Sequence, residues 1–314
     1  MDPALLTHRP FTTSQAADLG MTKRDLAALV LDGTLRRPVR GVYVDARASD
    51  SRELRIACIE LIKPSHAVAC SETASWLMGV DTFKPSERFL LVPSFLVPHA
   101  ESRLRRPGVS CRQAIVPDDD IVLVGDVAST SPVRTASDLL RRLYRPYALA
   151  AGDGFLRAGL VTHHELMRFV SRLKGFPGIV QARSLVTQVD ARAESPGESW
   201  QRLRITDAGF PPPDLQILVT DLEGNDRRID MGYENVMIGS EFDGREFHTR
   251  AADVLHDSQR RDLLGRIGWR WVNATRERLF GPDTSFEQEL GALLGISPRP
   301  RTWGGGNWPH PVTE

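Results

Sequence analysis

Carboxylates and one histidine crowd a short segment in the C-terminal part of the chain. Residues 229–248 read IDMGYENVMIGSEFDGREFH and hold Asp230, then Glu241 and Asp243 two residues apart, then His248. Carboxylates this close together repel one another unless open water or a bound cation compensates their charge. Because side chains alternate along a strand, Glu241 and Asp243 share one face, which Asp230 can reach from the preceding strand. The spacing therefore predicts a cluster of acidic side chains on a hairpin.

A fourth carboxylate, Glu198, lies on a helix predicted ahead of these strands, and it joins the cluster if that helix packs on the sheet. Carboxylate oxygens suit Mg²⁺ or Mn²⁺, which keep several waters and bind substrate phosphate oxygens. Such a metal ion can activate water and neutralise charge at a scissile phosphate. The alternative is a solvated acidic edge that discourages aggregation. Asp230 and Glu241 lie among Ile, Val, Met and Phe, which is typical of interior strands and favours the metal site.

The elements that must position these carboxylates combine helices with short strands. We expect strands over DLQILVT, DRRIDMG, NVMIGSEFD and WRWVN, and helices over ESWQRLRITDAG, ADVLHDSQRRDLLGRIG and SFEQELGALLG. The first of these helices carries an apolar stripe that includes Trp200, Leu203 and Ile205. The pattern predicts an α/β domain over residues 191–296, with its strands in one sheet.

This domain resembles the very-short-patch-repair-like branch of the PD-(D/E)XK nuclease superfamily. The resemblance covers Glu198 to about Val272 and rests on the helix glutamate, the strand aspartate, the motif EFDGREFH and the later segments RRD and GWRWV. It implies a restriction-endonuclease-like sheet flanked by helices and a DNA endonuclease that depends on a divalent metal ion.

The resemblance also implies roles for individual side chains. The residues it marks as catalytic are Glu198, Asp230, Glu241, Asp243 and His248. Among them, Asp230 and Glu241 would bind the metal ion, Glu198 would be the helix carboxylate, and His248 would support the transition state or transfer a proton. The superfamily pattern has a lysine where this chain has Asp243. His248, Arg245 or a second metal ion could take the part of that lysine.

The N-terminal segment has the order of a winged helix-turn-helix. Thr12 and Thr22 each stand at the cap position of a short helix, and Gly20 ends the first helix. After Gly33, the run TLRRPVRGVYV reads as a small hairpin. Residues 1–50 are therefore predicted to present their second helix to the DNA major groove and their wing to the DNA backbone.

Basic side chains fall where a winged helix would contact DNA. Lys23 and Arg24 begin the second helix, and three arginines decorate the wing. Two more arginines on the helix after the acidic hairpin could contact a phosphate. The predicted DNA-binding residues are Lys23, Arg24, Arg36, Arg37, Arg40, Arg260 and Arg261. A protein-interaction module of the same fold is the alternative, since the excess of basic over acidic residues in this segment is small.

The middle of the chain, residues 51–190, reads as a mixed α/β central domain. Together with the N-terminal segment, the run VASTSPVRTASDLL resembles bacterial proteins related to the abortive-infection type IV antitoxins. In those proteins a winged helix stands ahead of a mixed domain, and in actinobacterial chains the nuclease-like domain often follows. The resemblance implies a DNA-binding regulator as the second possible function.

Composition sets limits on the class of protein. Lys and Arg number 40, as do Asp and Glu, which argues against a histone-like nucleic-acid binder. The three cysteines form no CxxC pair, and the chain has neither a signal-peptide pattern nor a long apolar run, so we expect a cytoplasmic protein without membrane contact. Residues 297–314 are rich in Pro and Gly and are predicted to be a disordered tail.

Two functions follow from these patterns. The favoured one is a DNA endonuclease dependent on Mg²⁺ or Mn²⁺, in DNA repair or in defence against foreign DNA. The alternative is an antitoxin-type transcriptional regulator whose nuclease-like domain is catalytically silent. DNA is the expected partner in both, and a homodimer or a second protein is possible because cutting both strands needs two sites or two successive nicks.

Overall fold

The computed structural model describes residues 9–82, 91–103, 109–243 and 262–304. The chain divides into two compact units, which are Met1–Leu143 with Ala158–Val186 and Tyr144–Arg157 with Thr187–Glu314. Both units combine helices with mixed or antiparallel sheets, which confirms the predicted multi-domain α+β class. Within the described ranges, no helix has the length and apolar character needed to cross a membrane.

The first unit begins with the predicted helix–turn–helix and hairpin. The order is β1 (Phe11–Thr12), α1 (Thr13–Asp18), α2 (Lys23–Leu31), β2 (Leu35–Val39) and β3 (Val42–Asp45). The three strands form an antiparallel sheet in the order β1-β3-β2. A small core joins both helices to the sheet through Phe11, Ala16, Leu26, Leu35 and Tyr43. Each helix therefore buries one face, and the rest of its surface is open to solvent.

A five-stranded mixed sheet forms the remainder of the first unit. Its order is β6-β5-β4-β8-β7, with β4–β8 and β5–β6 parallel and the other pairs antiparallel. The strands are β4 (Val68–Ala69), β5 (Ser94–Val97), β6 (Ser110–Gln113), β7 (Ile121–Val124) and β8 (Val127–Thr130). The helices are α3 (Arg52–Glu60), α4 (Ser71–Leu77), α5 (Pro132–Arg142), α7 (His163–Arg172) and α8 (Ile179–Val186). Burial of Ile59, Leu77, Phe95 and Val127 gives this sheet its core.

The second unit is built on a four-stranded sheet in the order β12-β11-β10-β9. Its strands are β9 (Asp214–Thr220), β10 (Asp226–Tyr233), β11 (Ile238–Asp243) and β12 (Arg270–Thr275). The first three are antiparallel, and β12 runs parallel to β11. The helices are α6 (Arg145–Arg157), α9 (Pro196–Asp207), α10 (Arg276–Phe280) and α11 (Ser285–Leu294). All four predicted strands and the predicted helix that carries Glu198 are present.

Aromatic rings and a buried ion pair join α6 to the second unit. The Trp200 ring on α9 lies edge-on to Tyr147 of α6 at 5.4 Å and to Phe280 at 5.2 Å between ring centroids. Arg202 of α9 donates to the Asp153 carboxylate of α6 at 2.5 Å, and both side chains are buried. Burial raises the pKa of Asp153, and the adjacent guanidinium opposes that rise. These contacts place α6 in the second unit, although its sequence lies inside the predicted central segment.

Part of the predicted disordered tail is packed. Trp303 is buried, its indole N–H donates to the Asp207 carboxylate at 2.8 Å, and its carbonyl accepts from Arg204 at 3.0 Å. Arg301 forms an ion pair with the buried Glu287 at 2.6 Å. The prediction of disorder is therefore wrong for residues 297–304. Trp303 and Arg301 in this segment form hydrogen bonds and an ion pair with side chains of the second unit.

Candidate functional site

The second helix of the winged segment presents two cations at its start. Thr22 caps α2: its hydroxyl accepts from the Asp25 N–H at 3.2 Å, and the Asp25 carboxylate accepts from the Thr22 N–H at 2.8 Å. Leu26 is buried and fixes the orientation of the helix, whereas Lys23 and Arg24 are exposed. The N-terminal end of a helix carries partial positive charge and attracts anions. The Asp25 carboxylate offsets part of this positive end, and Lys23 and Arg24 add two full positive charges beside it.

The three wing arginines differ in how exposed their side chains are and in how many internal contacts they make. Arg36 donates to the Ala48 carbonyl at 2.9 Å, and the Arg37 guanidinium lies over the Tyr43 ring at 5.6 Å. Both are partly buried, while the Arg40 side chain is exposed. The Arg40 backbone N–H donates to the Leu91 carbonyl at 3.1 Å, which ties the wing tip to the rest of the first unit. A DNA contact by Arg36 or Arg37 would have to compete with these internal interactions.

In the second unit, Glu198 lies buried in the first turn of α9. Ser195 caps this helix by accepting from the Glu198 N–H, and the Glu198 carboxylate accepts from the Glu194 N–H at 2.9 Å. The Gln216 side-chain amide on β9 donates to the same carboxylate at 3.2 Å. Burial raises the pKa of Glu198, and the negative charge of Asp230 raises it further. The structure thus brings Glu198 close enough to Asp230 for the two charges to interact.

Asp230 and Glu241 lie next to each other on the neighbouring strands β10 and β11. Met231 of β10 pairs with Ser240 of β11, and Asp230 and Glu241 are the next residues beyond that pair on their strands. Glu241 is buried and Asp243 is partly buried. Glu241 is thus a buried carboxylate, and its role as a metal ligand stays a prediction.

The side chains on either side of Glu241 face helix α9. Ser240 accepts from the Gln201 amide at 2.5 Å, and the Phe242 ring lies 5.9 Å from Trp200, edge to face. Side chains alternate along β11, so Glu241 and Asp243 take the opposite side of the strand from the one that contacts α9. Glu198, in the first turn of α9, reaches this sheet through Gln216 of β9 and interacts with Asp230.

The predicted metal centre is not assembled by the described side chains. Among residues 9–82, 91–103, 109–243 and 262–304, no three or more His, Cys, Asp or Glu side chains form a group that could hold a metal ion. The predicted metal site, whose motif continues beyond these ranges, therefore stays a prediction. The predicted residues Arg245, His248, Arg260 and Arg261 lie outside the described residues.

The sequence analysis missed a network of buried charges in the first unit. Asp138 on α5 is buried and accepts from Arg134 at 3.0 Å and from Arg141, which lie four residues before it and three after it. Arg134 also donates to Asp120 at 2.7 Å, and Arg112 approaches Asp138 at 3.9 Å. The signal was present as the alternation of Arg and Asp in SPVRTASDLLRR, because i,i+3 and i,i+4 spacing puts these side chains on one helix face.

Comparison with known proteins gives this part of the chain its relatives. Residues 67–188 match the AbiEi antitoxin C-terminal domain. Two proteins of Mycobacterium tuberculosis, "Uncharacterized protein MT2308" of strain CDC 1551 / Oshkosh and "Uncharacterized protein Rv2248" of strain ATCC 25618 / H37Rv, are each 32% identical over 251 residues. The alignment covers 79% of this chain and 88% of each relative. The chain belongs to the family of these two mycobacterial proteins.

Within this family member, the AbiEi match extends from just before β4 to just after α8. It contains the Asp138 network and the run VASTSPVRTASDLL. The resemblance to the abortive-infection antitoxins is therefore confirmed for residues 67–188. The resemblance of residues 191–296 to nucleases stays a prediction.

Proposed function

We propose that this protein is a DNA-binding regulator of the antitoxin type. The observation that carries the proposal is the match of residues 67–188 to the AbiEi antitoxin C-terminal domain, most of which lies in the same compact unit as a helix–turn–helix with a wing. The exposed Lys23 and Arg24 at the start of α2 support it, because they would meet DNA phosphates if α2 enters the major groove. A toxin is the protein partner that an antitoxin of this kind implies.

In this proposal, phosphate contacts set the affinity and the register on the duplex. Lys23, Arg24 and the N-terminal end of α2 contact the DNA backbone, and the exposed Arg40 of the wing adds a further cation. Contacts of this kind displace counterions from DNA, so binding weakens steeply as salt rises. Arg36 and Arg37 keep the hairpin in place from inside the fold.

The test is DNA binding by a variant with Lys23→Gln and Arg24→Gln. Fluorescence anisotropy with duplex DNA from upstream of the protein's own coding sequence, at several salt concentrations, measures affinity and its salt slope. We expect the affinity to fall by about tenfold or more and the slope of log K against log salt to shrink by about two, one per lost phosphate contact.

Arg52→Gln is the matched control, since Arg52 is an exposed arginine at the start of α3 in the same unit. It should bind DNA with the affinity of the wild type. Equal binding by the wild type and the Lys23/Arg24 variant would sink the winged helix as the DNA-binding surface. A thermal melt of each variant separates loss of contact from loss of fold.

A metal-dependent DNA endonuclease is the second candidate. It is favoured by the buried Glu198 beside Asp230 and by the buried Glu241 on the adjacent strand, because buried carboxylates are costly and cluster at functional sites. Mg²⁺ or Mn²⁺ is the cofactor expected for it. Residues outside the described ranges would have to complete its donor set.

Cleavage of supercoiled, linear, mismatched and single-stranded DNA with Mg²⁺, Mn²⁺ or EDTA tests this candidate. If it is an enzyme, cutting requires the metal ion and is abolished in Glu241→Gln, whereas Asp283→Asn, an exposed carboxylate in the same unit, cuts normally. Intact DNA under every condition, with DNA binding retained, would exclude the endonuclease and leave the regulator.

A further inference from the structure

A cleft of about 260 Å³ lies in the first unit, between the end of the five-stranded sheet and helix α5. Its polar lining consists of Ser71, Ser94, Ser110, Arg112, Arg142 and Glu72. Its apolar lining includes Phe95 and Leu139. The cleft lies outside both sites discussed above, and neither proposed function uses it.

Three serines meet at one end of the sheet. Ser94 of β5 pairs with Ser110 of β6 on parallel strands. The Cys70 N–H at the end of β4 donates to the Ser94 carbonyl at 3.0 Å, so Ser71 follows immediately beside that pair. Hydroxyl groups both donate and accept hydrogen bonds, which lets them turn towards a bound anion. The sheet register therefore fixes a row of hydroxyl donors on one wall of the cleft.

Ser71 has a backbone conformation that L residues rarely adopt. Its φ is 51°, in the left-handed region, at the turn where β4 passes into α4. Strained residues of this kind are concentrated at ligand clamps and active sites.

Two arginines supply positive charge to the same cleft. Arg112 stands two residues after Ser110 on β6, and Arg142, the last residue of α5, shares one helix face with Leu139 through i+3 spacing. A basic residue at the end of a helix is favoured by the helix dipole, which accounts for Arg142 by itself. The dipole does not account for a second guanidinium aimed at the same space.

The neighbouring acids leave this charge largely unmatched. Asp138 already accepts from Arg134 and Arg141, and Arg112 reaches it at only 3.9 Å. Among the described residues, Arg142 makes no hydrogen bond or ion pair, and burial and the charge of Arg112 together lower its pKa. Glu72, in the first turn of α4, is the acid that lines the cleft. The two arginines outnumber the one glutamate in the lining, so the net charge of the cleft favours binding of an anion.

We propose that this cleft binds a small phosphate-bearing molecule, with Arg112 and Arg142 on the phosphate and the serine hydroxyls completing its hydrogen bonds. Guanidinium groups match phosphate oxygens in geometry and charge. Phe95 and Leu139 offer an apolar floor for the organic part of a phosphomonoester. The cleft's volume of about 260 Å³ suits a compact ligand.

Calorimetric titration of the full chain with inorganic phosphate, adenosine monophosphate and adenosine tests the proposal. We expect saturable binding of a phosphate-bearing probe and none of adenosine. Arg112→Gln and Arg142→Gln should each weaken binding by about tenfold or more, since each removes a charge-assisted hydrogen bond. Glu72→Gln should strengthen it severalfold, because it removes a repelling charge.

Controls separate this site from others on the chain. Arg52→Gln should bind the probes like the wild type, and so should the Lys23/Arg24 variant, which has lost the phosphate contacts proposed for DNA. Each variant must melt at the wild-type temperature without ligand. Binding of both phosphate and adenosine monophosphate assigns the site to the phosphate group itself, and binding of the nucleotide alone assigns it to a phosphomonoester.

The proposal fails if neither phosphate-bearing probe binds saturably. It also fails if adenosine binds as well as its monophosphate, or if folded Arg112→Gln and Arg142→Gln proteins retain wild-type affinity. None of these results bears on DNA binding by α2, so the proposed regulator and the proposed cleft are tested independently.

Discussion

The burial of Glu198 shows what a single residue reveals about the second unit. A carboxylate in the first turn of a helix is favoured by the helix dipole, and Glu198 also accepts hydrogen bonds from Glu194 and Gln216. Its pKa is nevertheless raised, because burial outweighs those hydrogen bonds and Asp230 adds a like charge. Burial of an ionisable carboxylate therefore makes an unfavourable contribution to folding at neutral pH.

This raised pKa predicts how the stability of the protein varies with pH. Below about pH 4.5, the ordinary pKa of a glutamate, Glu198 is protonated in both folded and unfolded chains. As pH rises from there through the raised folded-state pKa, the unfolded chain ionises first, so the folded state loses stability relative to a chain with a neutral side chain. Each unit of pKa elevation corresponds to about 1.4 kcal/mol.

Glu198→Gln is the variant that exposes this effect. Its free energy of unfolding relative to the wild type should increase with pH across that window and then level off. Urea unfolding of both proteins between pH 4 and pH 8 measures the difference. A difference that stays constant with pH would mean that Glu198 is not held in the environment described here.

At the scale of elements, local spacing predicted where helices begin. The Thr12–Gln15 and Thr22–Asp25 pairs form the reciprocal hydrogen bonds of a capping box. Such caps depend only on residues three apart, so the sequence shows them directly. The orientation of the wing arginines does not depend on local spacing. A register irregularity between Arg36 and Val39 in the pairing of β2 with β3 accompanies the inward contacts of Arg36 and Arg37.

The segment 297–304 is an element that composition misjudged. Proline and glycine are typical of disordered tails. In this segment, however, Arg301 forms an ion pair with Glu287, and Trp303 donates a hydrogen bond to Asp207. The Arg204 guanidinium, almost fully buried, lies 3.4 Å from the centre of the Trp303 ring. Without this segment, the buried Arg204 would lose its hydrogen bond to the Trp303 carbonyl, and the buried Glu287 would lose its ion pair with Arg301.

Truncation tests the role of this segment. A chain that ends at residue 296 should lose about 3–5 kcal/mol of unfolding free energy, or fail to fold its second unit, because removing one partner leaves buried charge uncompensated. A chain that ends at residue 304 keeps Arg301 and Trp303 and is the control with which the shorter chain is compared. Denaturant titration followed by tryptophan fluorescence distinguishes the two. Equal stability of both truncated chains would show that the segment is dispensable.

At the scale of the whole molecule, the chain leaves its first compact unit after Leu143 and returns to it at Ala158. The intervening helix α6 packs on α9 through the Arg202–Asp153 pair and the Tyr147 and Trp200 rings. The AbiEi match runs through this helix, so one family segment contributes to both units. A boundary drawn along the sequence cannot represent such an exchange, which is why the predicted central domain of residues 51–190 differs from the observed units.

The amino-acid sequence by itself determined the local features of this protein. Helix caps, the four strands around the acidic hairpin and the winged helix order follow from residue spacing, because backbone hydrogen bonding and side-chain alternation act over a few residues. The antitoxin resemblance was also visible in the sequence, although its extent of 67–188 came only from comparison.

Tertiary structure alone decided which distant side chains share a space. It brought Glu198 to Asp230, turned Arg36 inward and placed Arg112 of β6 beside Arg142 of α5 in one cleft. The physical reason is that burial and charge pairing depend on contacts between elements far apart in sequence. Periodicity identifies the buried face of each element but not the element that covers it.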